Sequence, residues 1–500
     1  MRIVSPPDQC LAHDAAPLTA DDRIAVRKLS VMMPIFNERW TLEQIIQRVL
    51  SAPVSVPIEL LAVDDASSDG SWEVLSQLAA ADSRIKPIRH LRNRGKGAAI
   101  RTAIEHITGD VAVVQDADLE YDPAEFPLLL QPFLEGKADA VFGSRFAGHP
   151  RRVLSFWHTQ INRGLTLLSN IVNDLTLTDM ETCYKMVRTD VLKSLRLRSR
   201  TFTLEPELTA RLAQWGARIY EVPISYSARG FDEGKKIRAR DGLKAIGTML
   251  WTKWFDPRFT DDAELYHRRI ASRCMRRKRW VFDLVRPYIG CRVLEIGAGR
   301  SGLSSFLLGR ERLVLAEVDQ QHADQFRQRF GHRPNLRVEC SRLATIEEWA
   351  TISDERLDTV LCQGALEHTN DDLEMLTRIH ALLEPGGRCI VVTEPEAASI
   401  APVRRCGAGP RRHYTQEALY DRLHAAGFTV VASRDFDALG PACHGAGRWF
   451  FGGGARPRAL VWADRLVPLT KLADRILPLP GGSLVVVGQK PDVKSQKAAA

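Results

Sequence analysis

The chain has 500 residues, and because a single hydrophobic core usually stops growing at about 250 to 300 residues, two domains are expected. With 45% hydrophobic and 26% charged residues, and 34 Gly and 26 Pro spread along it, the composition excludes a fibrous or disordered protein. The net charge of +8 suits a protein that meets phosphates, without choosing among nucleotide, lipid phosphate and nucleic acid.

Residues 1–28 read as an N-terminal extension with acids and prolines where a signal peptide needs a continuous apolar stretch. From Leu29 the runs LSVMMPIF, IELLAV, KPIRH, VAVVQ and DAVFG predict strands, and TLEQIIQRVL, SWEVLSQLAA, GAAIRTAIEHI and AEFPLLLQPFL predict helices between them. Such β-α-β units imply a mainly parallel sheet that binds ligands beyond the carboxyl ends of its strands. The alternation breaks over residues 256–279, read as a linker, whose basic run Arg268 to Arg279 reads as a solvated face; no nucleic-acid-binding signature accompanies it. It resumes over residues 280–490 with strands at CRVLEIG, RLVLAEV, LRVEC, LDTVLCQG, RCIVVTE and SLVVVGQ, and residues 491–500 read as a flexible tail. The expected fold class is therefore α/β, with two doubly wound domains at 29–255 and 280–490. Nine scattered cysteines read as reduced thiols, and no stretch reaches the roughly 18 apolar residues of a membrane span. Both point to a cytoplasmic protein.

Polar residues at strand ends carry the chemistry in such sheets. The first predicted strand delivers Pro34, Asn37 and Glu38, and the second ends in Asp64 and Asp65, followed by Ser67, Asp69 and Gly70. Those acids suit a base edge and ribose hydroxyls, or equally a helix cap. The fourth delivers Asp116 and Asp118, with Glu120 beyond; carboxylates on alternate residues of an extended chain can share one hard cation. Farther along, Glu205 and Glu207 include a candidate general base, or serve as helix-start caps. Arg229, Lys235, Lys236, Arg238 and Arg240 form a candidate clamp for a departing diphosphate.

The segments PIFNE, VDDASSDGS, GKGAAIRTAI, DADLEYDP, GSRF and EGKKI occur in the order seen in family 2 glycosyltransferases. Over about residues 29 to 255 the chain resembles the dolichol-phosphate mannose synthase-like branch of that family. The resemblance implies a GT-A fold in which Pro34, Glu38, Asp64 and Asp65 hold the nucleotide, with Lys96, Lys235 and Lys236 contacting it. It implies Mg²⁺ or Mn²⁺ on Asp116, Asp118 and Glu120, and Arg145 gripping an acceptor phosphate, a structural ion pair being the alternative. Asp118, Arg145 and Glu207 are the expected catalytic residues. The expected reaction is inverting, metal-dependent transfer from a nucleotide-sugar donor to a lipid-phosphate or glycan acceptor, with peripheral contact at the membrane surface and no nucleic-acid partner.

The second domain opens with RVLEIGAGRSGLSSFLL, a strand, a glycine-rich turn and a helix start, and Glu317 follows one β-α-β step later. These residues fit a dinucleotide or S-adenosylmethionine; Glu295, directly before the glycines, favours the cationic ligand. LEIGAG, LDTVLCQGALEHTNDD and LLEPGGR resemble class I methyltransferases over about residues 280 to 490. The resemblance implies S-adenosylmethionine lined by Glu295, Gly297 and Gly299 at its methionine end and by Glu317 at the ribose, Asp319 standing in reserve. GPRRHYT, at 409–415, matches a segment near the family's acceptor pocket. Ser301 and Gly364 depart from the common glycine and asparagine, and VECSRLAT lacks the usual adenine-binding acid. The alternative is a degenerate, non-catalytic binding module. His368 and His413 read as structural, and the segment from Arg458 to Pro480 as a packed terminal helix, with a membrane anchor as the alternative.

Overall fold

The computed structural model describes residues 26–148, 156–227, 239–256, 258–262, 265–266, 269–270, 274–297, 302–331, 333–341, 343, 346–369, 371–393, 414–437, 457–476 and 482–492. The chain divides into two compact units, Ile24–Tyr266 and a second that includes His267–Ala500. Arg229, Lys235, Lys236, Arg238, Gly299, Ser301 and His413 lie outside the described residues.

In the first unit seven strands run β1 (Leu29–Ile35), β2 (Ile58–Asp64), β3 (Ile85–Arg89), β4 (Val111–Val114), β5 (Ala140–Ser144), β6 (Lys185–Arg188) and β7 (Ile219–Pro223). Their order in the sheet is β3-β2-β1-β4-β6-β5-β7. β1 and β2 are buried almost throughout, as parallel strands covered on both faces require. The sheet is not wholly parallel, because β6 runs antiparallel to both β4 and β5. Helices α1 (Arg39–Leu50), α2 (Ser71–Ala81), α3 (Lys96–His106), α4 (Phe126–Leu134), α5 (Phe156–Asn173), α6 (Thr189–Ser194), α7 (Leu204–Trp215) and α8 (Ala239–Leu250) alternate with the strands, and a π-helical turn, Trp251–Phe255, continues α8.

The expected linker is built into ordered structure at both ends. Asp256 pairs with Arg196 at 3.2 Å and Arg211 at 2.8 Å, and Phe259 is buried beside Tyr266. Met275–Val285 is a helix, α9, that buries Trp280, Val281, Phe282 and Val285 in the second unit. Within the basic run, Arg277 is neutralised by Asp437 at 3.1 Å.

The second unit's sheet has the order β10-β9-β8-β11-β12-β14-β13. Its strands are β8 (Arg292–Ile296), β9 (Arg312–Glu317), β10 (Leu336–Cys340), β11 (Thr359–Gln363), β12 (Arg388–Thr393), β13 (Thr429–Phe436) and β14 (Ser483–Gln489). Alternate residues of β8 and β9 enter two separate apolar clusters: Leu294, Ile296 and Val314 on one face, Val293, Leu313 and Leu315 on the other. The helices are α10 (Ser304–Leu307), α11 (Gln320–Phe330), α12 (Ile346–Ala350), α13 (Asp372–Leu382), α14 (Gln416–Ala425) and α15 (Pro457–Ile476). α15 packs on α9, as expected of a terminal helix, burying Ala463, Val467 and Thr470. Among the described cysteines Cys183, Cys274, Cys340, Cys362 and Cys389 are free, but Cys291 is disulfide-bonded, so uniformly reduced thiols do not hold. No helix of the described residues is long and apolar enough to cross a membrane.

Candidate functional site

In the first unit the strand order reverses between β1 and β4, where a doubly wound sheet opens a crevice. The β1/β4 ladder ends at Met32 and Val114, and Pro34, which has no N–H to donate, lies just beyond. The chain leaves β1 through Asn37, whose φ of 54° is rare for a residue with a side chain. Its amide donates to Ser67 Oγ and its side-chain oxygen accepts from Ser68 N, so the β1 and β2 turns are stitched together. Glu38 begins α1, and Thr41 one turn on reaches both the Glu38 carboxylate and the Ala117 carbonyl, linking this turn to the one after β4.

Asp64 and Asp65 are buried at the end of β2. Asp65 lies 2.6 Å from His90 Nδ1 and accepts the amides of Arg94 (2.9 Å) and Gly95 (2.7 Å). Through these bonds Asp65 shapes the RNRGKG turn. That turn presses on the backbone of Ser199 and Arg200. A Cβ on Gly95 or Gly97 would collide with it, and Gly95 holds φ +92°. A cavity of about 480 Å³ lined by Arg92, Asn93, Arg94 and Arg200 opens beside it.

Lys96 starts α3 and reaches the centre of the crevice. Its Nζ lies 2.8 Å from Asp116 and 3.1 Å from Glu205, with Cys183 Sγ at 3.5 Å. Burial disfavours the ammonium, but the carboxylates of Asp116 and Glu205 outweigh it and hold its pKa well above the ordinary value. Asp116 and Asp118 lie in the bend after β4, not on an extended strand as anticipated. Asp118 is buried and accepts the Glu120 amide, whereas the Glu120 carboxylate accepts from Tyr226 Oη at 2.8 Å. Among the described residues no three His, Cys, Asp or Glu side chains converge to hold a metal ion. Tyr226 thus fixes the orientation of the Glu120 carboxylate, an expected member of the ligand set.

Two of the expected catalytic residues, Arg145 and Glu207, are engaged by protein partners. Arg145 forms a bidentate pair with the fully buried Asp179, Nε at 2.6 Å and a terminal nitrogen at 2.8 Å, while Tyr226 covers its face at 5.1 Å. The structural ion pair is thus the arrangement present. Glu207 accepts the amides of Arg198 (3.0 Å) and Ser199 (2.7 Å) and sits 3.6 Å from Arg211. Its carboxylate caps that turn, and Glu205 is the one that faces the crevice.

Residues 178–185, for which the sequence raised no expectation, line the same crevice. Besides Asp179 and Cys183 they supply Glu181, whose carboxyl is pushed up to about 7 by burial and then by Glu205. One oxygen each of Glu181 and Glu205 is buried without a hydrogen-bond partner among the described residues. The signal was available: two threonines, two acids, a cysteine and a lysine crowd a short segment that leads into a strand.

In the second unit the order reverses between β8 and β11. Glu295 is fully buried on β8 and accepts Leu303 N at 2.6 Å and Ser304 Oγ at 2.5 Å. Burial pushes its carboxyl up to about 7 despite those bonds. Its carboxylate thus ties β8 to the start of α10. Gly297 has φ +81°, and a Cβ there would crowd the Gln363 carbonyl at 3.1 Å. Glu317 ends β9, accepts the amides of Val318 and Asp319, and has His322 at 3.5 Å. Gly364 holds φ +66°, a conformation Asn also tolerates, so its departure from the common asparagine leaves the backbone intact.

Residues 30–196 match Glycosyl transferase family 2, and residues 294–389 match a methyltransferase domain. The chain is 28% identical over 213 residues to a dolichol-phosphate mannosyltransferase of Pyrococcus furiosus, covering 42% of this chain and 59% of that one. It is 29% identical over 217 residues to an undecaprenyl-phosphate 4-deoxy-4-formamido-L-arabinose transferase of Salmonella choleraesuis, covering 43% and 64%. The chain thus spans about three fifths of the length of these relatives. Among solved structures it is similar to glucosyl-3-phosphoglycerate synthase from Mycobacterium tuberculosis in complex with Mn²⁺, UDP and phosphoglyceric acid. The identity there is 20%, the coverage 50% of this chain and 88% of that one, and the TM-score 0.36.

Proposed function

Starting from a chain that joins a Glycosyl transferase family 2 domain to a methyltransferase domain, we propose that the first unit transfers a sugar from a nucleotide-sugar donor to a lipid-phosphate acceptor, with inversion. The observation that carries this reading is the Lys96–Asp116–Glu205 cluster at the β1/β4 switch point, beside the arginine-lined cavity. A nucleoside diphosphate needs such cationic donors, and the buried acids confine them to one geometry. The names of the two curated relatives, both transferases of polyprenyl-type phosphates, support the acceptor class. A phosphate acceptor is already ionised and requires no general base, which agrees with Glu207 being consumed as a cap.

Asp116 and Asp118 fit a divalent cation, Mg²⁺ or Mn²⁺, as a two-carboxylate site whose other oxygens come from the donor diphosphate. When bound, that ion neutralises charge developing on the leaving nucleotide. Lys96 holds Asp116 in place and offers its ammonium to the same phosphates. Glu38 and Thr41 tie the β1 turn to the Ala117 carbonyl, fixing the distance between nucleotide and metal sides.

The second unit is assigned to S-adenosylmethionine-dependent methyl transfer. Glu317, at a strand end and partly held by its own turn, fits the ribose hydroxyls, and Gly297 lets the ligand approach the backbone. The cofactor supplies an electrophilic methyl group; Glu295 holds the start of α10 against β8. Hydrolysis of a panel of nucleotide sugars, followed by transfer to undecaprenyl phosphate, tests the first assignment. Turnover of none of them would defeat it. Calorimetric titration with S-adenosylmethionine tests the second, and absence of heat would leave a non-catalytic module.

A further inference from the structure

Glu181 is held in place by its neighbours, and one of its carboxylate oxygens is left unused by them. The residue lies in the turn that leads from α5 into β6. On one side the Met180 amide donates to Thr166 Oγ of α5, and on the other the Cys183 amide donates to Tyr121 Oη. The buried Lys185 ammonium spans the residue by donating to the Met180 and Thr182 carbonyls. A backbone fixed from both sides gives the Glu181 side chain a set direction. Even so, one of its carboxylate oxygens is buried with no hydrogen-bond partner among the described residues.

Glu205, 8% exposed in the first turn of α7, has the same character. One of its oxygens takes the Lys96 ammonium at 3.1 Å, and the other is buried without a partner among the described residues. The two acids also interact, because the Glu205 charge adds to burial in raising the Glu181 carboxyl. A buried acceptor without a bond costs free energy, and in folded proteins such groups are nearly always satisfied. Two in one crevice therefore mark the place of a ligand that donates hydrogen bonds. An ionised phosphate only accepts, and a metal ion is opposed by the ammonium groups of Lys96 and Lys185 beside these acids. Neutral O–H donors remain. A sugar joined to a diphosphate on Lys96 brings its ring hydroxyls beside that lysine. Hydroxyl bonds to a carboxylate are strong and directional, and a buried acceptor rejects a ligand whose hydroxyl is missing or turned away.

We infer that the unpartnered oxygens of Glu181 and Glu205 receive hydroxyl groups of the transferred sugar, and that Glu181 decides which sugar the first unit accepts. The inference rests on the nucleotide-sugar reading of the crevice and names the part of the donor that these residues hold.

The full chain, with Mn²⁺, is titrated calorimetrically with UDP, UDP-glucose, UDP-galactose, UDP-N-acetylglucosamine, GDP and GDP-mannose, and the series is repeated on Glu181→Gln and Glu181→Ala. For the nucleotide sugar that the wild type binds most tightly, both substitutions should raise Kd by about tenfold or more, while Kd for the bare nucleotide stays within about twofold. The spread of affinities among the sugars of one nucleotide should narrow in both variants. Neither substitution strips a described protein group of a hydrogen-bond partner, so the thermal transition should hold or rise; if the alanine variant fails to fold, the glutamine variant carries the test. A wild type that binds neither UDP nor GDP defeats the nucleotide-sugar reading and this inference with it. Bare nucleotide bound by the wild type, with folded variants that weaken sugar-bearing and bare nucleotide alike, or weaken neither, overturns the role of Glu181 alone.

Discussion

Replacing Asp179 by alanine isolates what Arg145 does. The two side chains are 0% and 7% exposed and share two short charge-assisted bonds, and Asp179 also accepts the Arg145 amide. Removing one partner of a buried, bidentate pair costs about 3 to 5 kcal/mol, because the remaining charge is left desolvated. The Tyr226 and Phe146 faces, at 5.1 and 5.8 Å, offset part of that loss, which places the expectation near the lower figure. For a unit of this size 1 kcal/mol moves the midpoint by about 2 to 4 °C, so a fall of roughly 6 to 12 °C is expected. Differential scanning calorimetry of the full chain reads it, the relevant transition being the one that nucleotide shifts, since two units need not unfold together. Arg145→Leu/Asp179→Leu removes both charges and should recover most of the loss. A transition unmoved by Asp179→Ala would refute the buried ion pair and return Arg145 to the acceptor phosphate.

Glu207→Ala should destabilise the first unit by about 2 to 4 kcal/mol, because it leaves the Arg198 and Ser199 amides and part of Arg211 unpaired; a denaturation midpoint that does not fall counts against the cap. Glu205→Gln keeps the side-chain shape but removes a charge paired with the buried Lys96, so it should destabilise the first unit by about 1 to 3 kcal/mol and, in protein still folded by circular dichroism, cut sugar transfer at least tenfold; full activity would remove Glu205 from the site. Lys96→Met should weaken donor-nucleotide binding by about 1.5 to 3 kcal/mol, and an unchanged calorimetric Kd would contradict its phosphate role. Glu295 carries a folded-state pKa of about 7 against an ordinary 4.5, so the folded state binds the proton more tightly. Its contribution is full below 4.5 and is lost as pH rises toward about 7, on the order of 3 kcal/mol in all. Glu295→Gln should flatten that decline in the second unit's denaturant midpoint, and an identical slope in both proteins would argue against the buried carboxyl.

Much of the fold was legible because β1, β2, β4, β8 and β11 are predominantly apolar, largely buried runs, a pattern that survives without tertiary knowledge. β6 was not, since it has four residues and opens with the buried Lys185, whose ammonium is satisfied by the Met180 and Thr182 carbonyls. β13 was missed for the opposite reason: it is an exposed strand whose polar residues resemble a loop. At the site, the acids after β2 and β4 were found by type and position. Their partners were not, because Asp65 answers to backbone amides that no side-chain pattern reveals. Glu205 and Glu207 show the same limit. Two residues apart on a helix point to different sides, and only the packing of α7 decides which one meets Lys96.

Sugar transfer by the first unit requires a donor diphosphate held between Lys96 and a cation on Asp116 and Asp118. Isothermal titration of UDP and GDP into the full chain, with and without Mn²⁺, compared with Asp118→Asn, tests this directly. Binding of one nucleotide that requires Mn²⁺ and is lost in the variant is predicted; affinity that ignores both the metal and the substitution would contradict it.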